Sequence, residues 1–537
     1  MIDTKALREK VLDLAIRGKL VPQDPNDEPA SVLLERIRTE KQQMVKDGKL
    51  KAKDIKNDTI IYKGDDNLHY EKFSDGSLKC IEDEIPFELP QGWEWSRFSS
   101  AFIINPRNNL PDDTEVSFIP MFLIQEGYAN NHTFEKKTWS NVKSGFTHFA
   151  ENDIGVAKIT PCFENKKSVI FRNLTNGFGA GTTELHIIRS IDDGICPEYV
   201  LWFIKTDSFI SNGVNAFSGA VGQKRIGKDF VEKYLIPIAP TTEQKRIVER
   251  ISTAFKFIDE IDASKEAFKL DVEIIKSKIL DLAIRGKLVP QDPNDEPASV
   301  LLKRIRAEKE ELIKQGKIKR DKKESVIFKG EDNSYYEKIG SDVCCIDEEL
   351  PFEVPENWRW LRLENGCSKE IKRGKSPKYS DTGNTLVFAQ KCNTKYDGIN
   401  IDLALYLDET TLNKYPDDEY MQDGDTVINS TGTGTLGRVG IYKQLDNKKN
   451  TPIVPDSHVT VIRAYKFINS DYIFTFLKAI QSELEELGEG STNQKELKPL
   501  TLKQLFIPLP PIQEQERIMC LIVTLFDNLD QIEKSLS

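Results

Sequence analysis

The sequence lacks the features that mark a membrane protein or a metal protein. It has no apolar run close to the roughly 18 residues that a membrane span needs, and its first residues, MIDTKALREK, do not read as a signal peptide. Eight cysteines occur without CxxC or another metal-ligand spacing, and only Cys344 and Cys345 are adjacent. Such cysteines are typical of reduced thiols. The sequence therefore predicts a cytoplasmic protein without membrane contact and without a metal site.

The sequence also lacks the motifs of common enzyme sites. Five histidines are scattered singly, without HExxH, and His186 and His458 are interpreted as core or loop residues. Residues 374–376 (GKS) lack the earlier glycine of a Walker A loop, and no Asn/Asp-Pro-Pro-aromatic tetrapeptide of adenine methyltransferases occurs. Residues 432–437 fit GxGxxG, but residues 439–442 after them predict a strand where a dinucleotide site needs a helix. The sequence predicts no catalytic residues.

Positive charge is not in excess either. The chain has 537 residues, 39 % of them hydrophobic and 30 % charged, and its net charge is −11. Neutralising nucleic-acid phosphates requires Lys and Arg, so this balance argues mildly against a nucleic-acid binder unless basic residues gather on one face. The length predicts several domains.

The most informative feature that is present is an internal repeat. Residues 12–34 read LDLAIRGKLVPQDPNDEPASVLL, and residues 280–302 read the same 23 letters, 268 positions later. Shorter matches follow in the same order, the halves then diverge over about 130 residues, and they converge again near residues 223 and 494. The chain is therefore a tandem of two similar halves. Similar segments would build a common scaffold, and variable segments would carry two different specificities.

A heptad pattern predicts one long helix in the middle of the chain. Eleven positions at alternating spacings of four and three cover residues 247–282, and ten of them are apolar, Lys265 being the exception; no Pro or Gly occurs in residues 241–285. These 36 residues would extend about 54 Å. Thr241 and Gln244 can form a capping box at its start. A packed bundle helix is the alternative to a coiled coil. The predicted seam consists of Ile247, Ile251, Ile258, Ile261, Phe268, Val272, Ile275, Ile279 and Leu282.

The second copy of this helix is divided between the chain ends, because residues 518–532 repeat its first half and residues 7–14 its second half. We expect both terminal helices to pack antiparallel to the central helix, and the termini to meet. The predicted class is α+β, with two α/β-mixed variable domains separated by long antiparallel coiled-coil helices in a pseudo-two-fold repeat. The predicted segments are 1–90 (N-terminal helix and helical linker), 91–240 (first variable domain), 241–355 (central scaffold), 356–511 (second variable domain) and 512–537 (C-terminal helix).

Local patterns place elements within this plan. Helices are predicted at residues 31–48 and 299–316, each followed by a Lys-rich stretch. A solvated linker is the default interpretation of such a charge run, and contact with a partner is the alternative. The variable segments alternate strands with turns. Their predicted strands are 154–159, 168–171, 185–189, 426–428, 439–442 and 459–462, and their predicted helices are 197–205 and 470–489.

Small, polar and basic loops occur at comparable places in both variable segments. Glycine allows close approach to a phosphate, and Ser, Thr, Lys, Arg, Asn and Gln can bind phosphates or base edges. Each loop alone is typical of an ordinary surface turn, but the recurrence favours DNA contact. The candidate DNA-binding residues are Lys158, Thr160, Asn165, Lys166, Lys167, Thr182, Thr183, Gln223, Lys224, Arg225, Arg373, Lys375, Asn429, Ser430, Thr431, Thr433, Thr435, Arg438, Asn493, Gln494 and Lys495.

This arrangement resembles the specificity (S) subunit of type I restriction–modification systems over essentially the whole chain. The resemblance rests on the repeated block, on AKITPCFEN (157–165), GFGAGTTELH (177–186), VGQKRI (221–226) and GDTVINSTGTGTLGRVG (424–440), and on the closing stretches IPIAPTTEQKRIV and IPLPPIQEQERI.

The resemblance implies a subunit that does no chemistry itself. Each target recognition domain would read one half of a bipartite, asymmetric DNA site, and the helices would fix the unread spacer. Two modification subunits would bring S-adenosylmethionine to a flipped adenine in each half-site. Restriction subunits would add ATP-driven translocation and cleavage. No cofactor is expected in this chain, and the repeated block would offer two equivalent docking faces for one kind of partner.

Two other functions remain open. The chain could be a stand-alone nuclease or methyltransferase with an unfamiliar site, or a structural adaptor that joins two protein partners through its coiled coil without reading DNA. Residues 91–240 carry 15 basic and 16 acidic side chains, and residues 356–511 carry 20 and 21. Without a basic excess, DNA binding is expected to depend on the partner subunits.

Overall fold

The chain divides into two compact units. A computed structural model describes residues 2–219, 224–318, 320, 325–395, 398–490 and 495–536. The N-terminal unit is Ile2–Lys265 and the C-terminal unit is Glu266–Ser537. Each contains one copy of the repeated block and one variable segment, and the α+β class predicted from the sequence is confirmed. None of the helices in the described ranges combines the length and apolarity needed to cross a membrane.

The N-terminal unit alternates short strands with helices between two long helical elements. Its helices are α1 (Thr4–Ile16), α2 (Ala30–Lys46), α3 (Phe98–Ala101), α4 (Pro197–Ile204), α5 (Asp207–Asn215), α6 (Lys228–Lys233) and the beginning of α7 (Thr241–Ile284). Its strands are β1 (Ile60–Lys63), β2 (His69–Lys72), β3 (Leu78–Cys80), β4 (Glu94–Arg97), β5 (Phe102–Ile104), β6 (Glu115–Ile119), β7 (Glu135–Thr138), β8 (Thr147–Ala150), β9 (Ile154–Ala157), β10 (Ser168–Ile170), β11 (Phe178–Gly181), β12 (Leu185–Ser190) and β13 (Leu235–Ile238).

The strands of this unit form four small sheets. Their orders are β1-β2-β3, β10-β9-β12-β5, β7-β6-β11-β8 and β13-β4, and β6 and β11 run parallel. The sequence of β9, IGVA, is apolar throughout, and all four residues are buried between α4 and the neighbouring sheet. A fully buried strand reads as a continuous apolar run and not as an alternating one. It therefore forms a fixed base for the loop that follows it.

The C-terminal unit repeats this plan. Its sheets are β14-β15-β16, β17-β25, β18-β20-β19-β23 and β22-β21-β24, and β19 and β23 run parallel. Besides the end of α7 its helices are α8 (Ala298–Lys314), α9 (Ser470–Ala479), α10 (Gln481–Glu486), α11 (Pro499–Lys503) and α12 (Ile512–Leu536). Its strands are β14 (Ser325–Lys329), β15 (Tyr335–Ile339), β16 (Asp342–Cys345), β17 (Arg359–Arg362), β18 (Tyr379–Ser380), β19 (Leu386–Phe388), β20 (Leu405–Leu407), β21 (Thr426–Asn429), β22 (Val439–Ile441), β23 (Ile453–Pro455), β24 (Val459–Ile462) and β25 (Phe506–Leu509).

Helix α7 is one uninterrupted helix of 44 residues. In the N-terminal unit α1 runs antiparallel to its first half, because Lys265 Nζ reaches the Ile2 carbonyl and Arg8 pairs with Asp262 at 3.0 Å. The apolar stripe of the heptad pattern faces this contact. The predicted antiparallel packing of the N-terminal helix is confirmed.

The C-terminal unit uses the second half of α7 in the same way. Lys276 pairs with Asp530 at 2.7 Å, while Ile279 shares a buried cluster with Ile518. Residue numbers rise along α7 while those of the contacting residues fall along α12. Helix α12 is therefore antiparallel to α7, as predicted.

Two details of the predicted helix are corrected. Ile275 is 45 % exposed, because the inward face of α7 passes from the buried Val272 through the half-buried Lys276 to the buried Ile279. No capping box forms: the Thr241 hydroxyl donates to the Gly194 carbonyl, and the Gln244 side chain is buried against the Ala239 carbonyl. Of the other predicted seam residues, Ile247, Ile251, Ile258, Val272 and Ile279 are buried, and Ile261, Phe268 and Leu282 are half-buried.

A buried polar junction closes the N-terminal unit at the repeated block. Trp93 Nε1 donates to Glu243 at 3.0 Å, and Gln23 from the block donates to the second oxygen of the same carboxylate at 3.0 Å. Asp27, also from the block, accepts from Arg246 at 2.6 Å. A buried carboxylate requires such donors. The block therefore fastens the start of α7 beside the end of α1.

The C-terminal unit contains the same junction at corresponding positions. Trp358 Nε1 donates to Glu514 at 2.9 Å, Gln291 donates to it at 2.6 Å, and Asp295 accepts from Arg517 at 2.6 Å. These contacts give the identity of the two blocks an intramolecular reason. Both units need the same glutamine and aspartate to close the same joint.

Candidate nucleic-acid interface

Corresponding loops follow the central buried strand of each unit. In the N-terminal unit β9 leads into residues 158–167, and Ile159 forms a β-bridge with Arg225. In the C-terminal unit β21 leads into residues 430–438, and Thr431 forms a β-bridge with Glu496. The second partner in each bridge lies just before a short helix, α6 or α11. The two units therefore assemble the same pair of loops.

A third loop joins each pair. After parallel strand β6, a 3₁₀ turn at Met121–Leu123 leads to Gly127, whose amide donates to the Asn165 carbonyl at 2.8 Å. After parallel strand β19, the corresponding 3₁₀ turn is Gln390–Cys392. Its Gln390 carbonyl accepts a hydrogen bond from the side-chain amide of Asn429 at 3.2 Å.

A fourth loop precedes β12 or β24. In the N-terminal unit Glu184 pairs with Arg225 at 2.9 Å. In the C-terminal unit His458 Nδ1 lies 2.6 Å from the Thr431 hydroxyl. Four loops therefore converge on one place in each unit, and most of the sequence-predicted DNA-binding residues lie on them.

Burial removes Lys166 from the predicted interface. It is 8 % exposed, and its ammonium pairs with Glu9 of α1 and, at 2.8 Å, with Asp207 of α5. Taking a lysine out of water is tolerated only with such partners. Lys166 therefore fastens its loop to the helices, and the loop has to move before this side chain can reach DNA.

A second buried lysine lies beneath the same loop. Lys205 has no exposed surface, and its Nζ donates to the carbonyl oxygens of Gly127 at 2.6 Å, Ala129 at 2.8 Å and Lys166 at 3.2 Å. Burial lowers the pKa of Lys205 to about 7. Three carbonyls from two loops converge on one ammonium, so Lys205 holds the turn after β6 against the loop after β9. No local pattern in the sequence indicates this role, because the contact joins segments far apart in the chain.

Asn429 and Ser430 are also withdrawn from the interface. Both are fully buried. The Asn429 amide donates to the Gln390 carbonyl, and the Ser430 hydroxyl lies 2.6 Å from that of Thr460. Their side chains hold the base of the loop and are not accessible to DNA in this conformation.

The other predicted residues are accessible to different degrees. Asn165, Thr183, Lys224, Thr433 and Lys495 are exposed. Gln223, Asn493 and Gln494 lie outside the described residues. The half-buried ones are Lys158, Thr160, Lys167, Thr182, Arg225, Arg373, Lys375, Thr431, Thr435 and Arg438.

Carboxylates accompany the basic side chains of the second interface. Arg373 pairs with Glu496 at 3.1 Å, and Lys375 lies 3.5 Å from the buried carboxylate of Glu419. The Arg438 guanidinium donates to the Asn393 carbonyl at 2.8 Å. The near-equal numbers of acidic and basic side chains in the sequence are therefore reflected at this interface, where basic groups lie beside carboxylates.

One accessible position was missed entirely. Phe122, in the middle of the turn after β6, is 73 % exposed. At the corresponding place after β19 stands the exposed Lys391. A large exposed aromatic ring beside candidate DNA loops suits contact with bases. A lone Phe in an apolar stretch reads as a core residue, which is why sequence reasoning passed over it.

The structure agrees with the interpretation that residues 432–437 do not form a dinucleotide site and that His186 is a core or loop residue. Residues 432–437 are followed by strand β22, so the geometry of a dinucleotide site is not formed there. His186 is buried against the Ile226 carbonyl at 3.1 Å, and burial lowers its pKa. Across the described ranges, no group of three His, Cys, Asp or Glu side chains is arranged to hold a metal ion.

Comparison with known proteins agrees with this geometry. The family model described as type I restriction modification DNA specificity domain matches residues 99–267 and 355–537. The type I restriction enzyme EcoEI specificity subunit of Escherichia coli is 34 % identical, over 99 % of this chain and 90 % of that protein. The EcoAI specificity subunit of the same species is also 34 % identical, over 96 % and 87 %.

A solved structure shares the fold. It is described as the structural basis underlying complex assembly and conformational transition of the type I R-M system, and one of its chains aligns with a TM-score of 0.55 at 17 % identity. The alignment covers 84 % of this chain and 94 % of that one.

Proposed function

Because the chain belongs to the family of specificity subunits of type I restriction enzymes, which are non-catalytic, we propose that its two four-loop surfaces read the two halves of a bipartite, asymmetric DNA site. The observation that carries this proposal is the presence of one such surface in each unit, built from corresponding loops. The same scaffold twice, with different side chains, suits two different half-sites.

Corresponding positions on the two surfaces carry different chemistry. Where the first has Phe122, the second has Lys391. The bridge partner of the central loop is Arg225 in the first and Glu496 in the second. Base edges are distinguished by donors, acceptors and methyl groups. Two surfaces that differ in this way would read different bases.

The proposal includes the partners and the cofactors. Two modification subunits would bind this chain, one for each repeat, and supply S-adenosylmethionine. Restriction subunits would supply ATP-driven translocation and cleavage. This chain would hold no cofactor and would work with the DNA in the cytoplasm. The near-equal numbers of acidic and basic side chains in residues 91–240 support a need for partners in clamping the duplex.

Exchanging one recognition segment tests the main proposal. A chain whose residues 91–240 are replaced by those of a relative, expressed with its modification subunit, is expected to methylate sites in which one half is new and the other is unchanged. Sequencing methylated bases in the host genome measures this. An exchange of residues 356–511 is the matched control and should change the other half. An unchanged methylated sequence would leave the structural adaptor as the better explanation.

Phe122→Ala tests the turn after β6. Discrimination at one base position of one half-site is expected to fall by about tenfold, since one good base contact contributes on the order of 1–3 kcal/mol. Methylation rates on a panel of singly substituted sites measure it. Phe257→Ala removes another exposed ring, 60 % accessible on α7, and should leave the panel unchanged. If Phe122→Ala and the wild type gave the same relative methylation rates on every substituted site, Phe122 would be excluded from the DNA contact.

A further inference from the structure

The small sheets β1-β2-β3 and β14-β15-β16 present matching outward faces. The strand registers place six side chains on each face, and the two sets agree position by position: aliphatic, aromatic, tyrosine, lysine, aliphatic, cysteine. The first face consists of Ile60, Tyr62, Tyr70, Lys72, Leu78 and Cys80, and the second of Val326, Phe328, Tyr336, Lys338, Val343 and Cys345. We call them the first and second hairpin faces.

Both hairpin faces leave apolar side chains in water. Leu78 is 57 % exposed and Val343 51 %, while Tyr62 and Phe328 are 38 % and 40 % exposed. Single exposed apolar residues are normal, but a contiguous group marks an interaction site. In the N-terminal unit Tyr62 stacks on Tyr70 with ring centroids 6.1 Å apart.

The opposite side of each sheet is anchored. Beneath the first face Ile61 packs with Trp95, and Arg97 pairs with the buried Glu71 at 2.7 Å. Beneath the second, Ile327 packs with Trp360. The outward faces are therefore held rigidly, which lowers the entropy lost on binding.

The agreement between the faces is not inherited from the connecting segments. Five residues, 73–77, lie between the paired Lys72 and Leu78, whereas four residues, 339–342, lie between the corresponding pair Lys338 and Val343. The lengths differ, yet the outward chemistry is the same on both sheets. Exposure to solvent alone does not require the same kinds of side chain at the same positions of both sheets.

Charge indicates what each face would meet. Lys72 and Lys338 occupy the same position among the apolar side chains, and neither has a carboxylate within ion-pair distance among the described residues. An unpaired ammonium within an apolar patch calls for a carboxylate on the partner. The aliphatic and aromatic neighbours suit a protein surface better than a phosphate backbone.

We propose that the two hairpin faces are docking surfaces for two copies of one protein subunit, each bringing an apolar patch with a carboxylate opposite the lysine. This rests on the proposed function and names the surface on which its modification subunits would dock. Both sheets lie outside residues 99–267 and 355–537, which the family model matches. Two like faces on one chain require two like partners.

The test uses the full chain expressed with its own modification subunit. One variant carries Tyr62→Ser with Leu78→Glu, a second carries Phe328→Ser with Val343→Glu, and a third carries all four. The matched control carries Leu445→Glu, a residue 92 % exposed, with Leu500→Ser, 62 % exposed. Native mass spectrometry counts the bound subunits, and circular dichroism checks that each variant is folded.

We expect two modification subunits on the wild type and the control, one on each single-face variant and none on the third, because loss of a central hot spot weakens binding by about tenfold or more. Two subunits on the folded third variant would overturn the inference. An unchanged count with DNA affinity lowered more than tenfold would also overturn it and assign the faces to DNA. If the wild type bound no subunit, the proposed partnership itself would fail, which is a different result.

Discussion

Asp153→Ala is expected to lower the free energy of unfolding of the N-terminal unit by about 3–5 kcal/mol. The Asp153 carboxylate is 3 % exposed and lies just before β9. Arg189 binds both of its oxygens, at 2.8 and 2.7 Å, and the Ala150 amide donates to it at 2.7 Å. Removing the carboxylate would leave a largely buried guanidinium without its partner. Denaturant unfolding of the purified chain measures the loss.

The repeat supplies a matched comparison for this variant. Asp425 holds Arg463 at 2.7 and 2.6 Å at the corresponding place before β21, so Asp425→Ala should destabilise the C-terminal unit to a similar extent. Asp112→Ala removes an exposed partner of Lys143 and should cost less than about 1 kcal/mol. Should Asp153→Ala behave like Asp112→Ala, the pair would not be a structural element.

The second large effect is a dependence of stability on pH that arises from Lys205. Burial lowers the pKa of this lysine to about 7, while in the unfolded chain it stays near 10.4. Between these values the unfolded state binds a proton that the native state has lost, so stability rises with pH. The destabilisation that comes from burying the charged ammonium is fully present below pH 7 and disappears as the pH approaches 10. Relative to Lys205→Met, the wild type is expected to gain about 1.4 kcal/mol per pH unit in this window.

Unfolding curves of both proteins from pH 6 to pH 10 measure this difference. Lys49→Met, at an exposed position, serves as the control and should follow the wild type at every pH. If the difference in unfolding free energy between the wild type and Lys205→Met stayed constant from pH 7 to pH 10, Lys205 would not be the source of the pH dependence. Because Lys205 ties together two loops of the first candidate interface, the variant should also weaken recognition of one half-site only.

Periodic elements and the repeat were readable from the sequence. The heptad pattern over residues 247–282 lies within α7, and the strand predicted at 459–462 coincides with β24. The helix predicted at 470–489 is divided into α9 and α10. Periodicity reports which face is buried, and so it predicts elements well and their interruptions poorly.

The individual interface residues were less predictable. Lys166 and Asn429 have the polar chemistry of DNA contacts, but the structure buries both beneath their loops. Phe122 has the chemistry of a core residue, and the structure exposes it. Residue type and loop position do not reveal which way a side chain points, because that depends on contacts from distant segments.

The sequence by itself determined that this chain is a tandem of two similar scaffolds carrying two different variable segments, since identity, heptads and apolar runs are properties of neighbouring residues. Only the tertiary structure decided which polar groups stay accessible and which close the fold. The reason is that a buried charge must find partners wherever the chain brings them: Lys166 meets Glu9, and Glu243 meets Trp93. These contacts join segments about 150 residues apart, which no local pattern encodes.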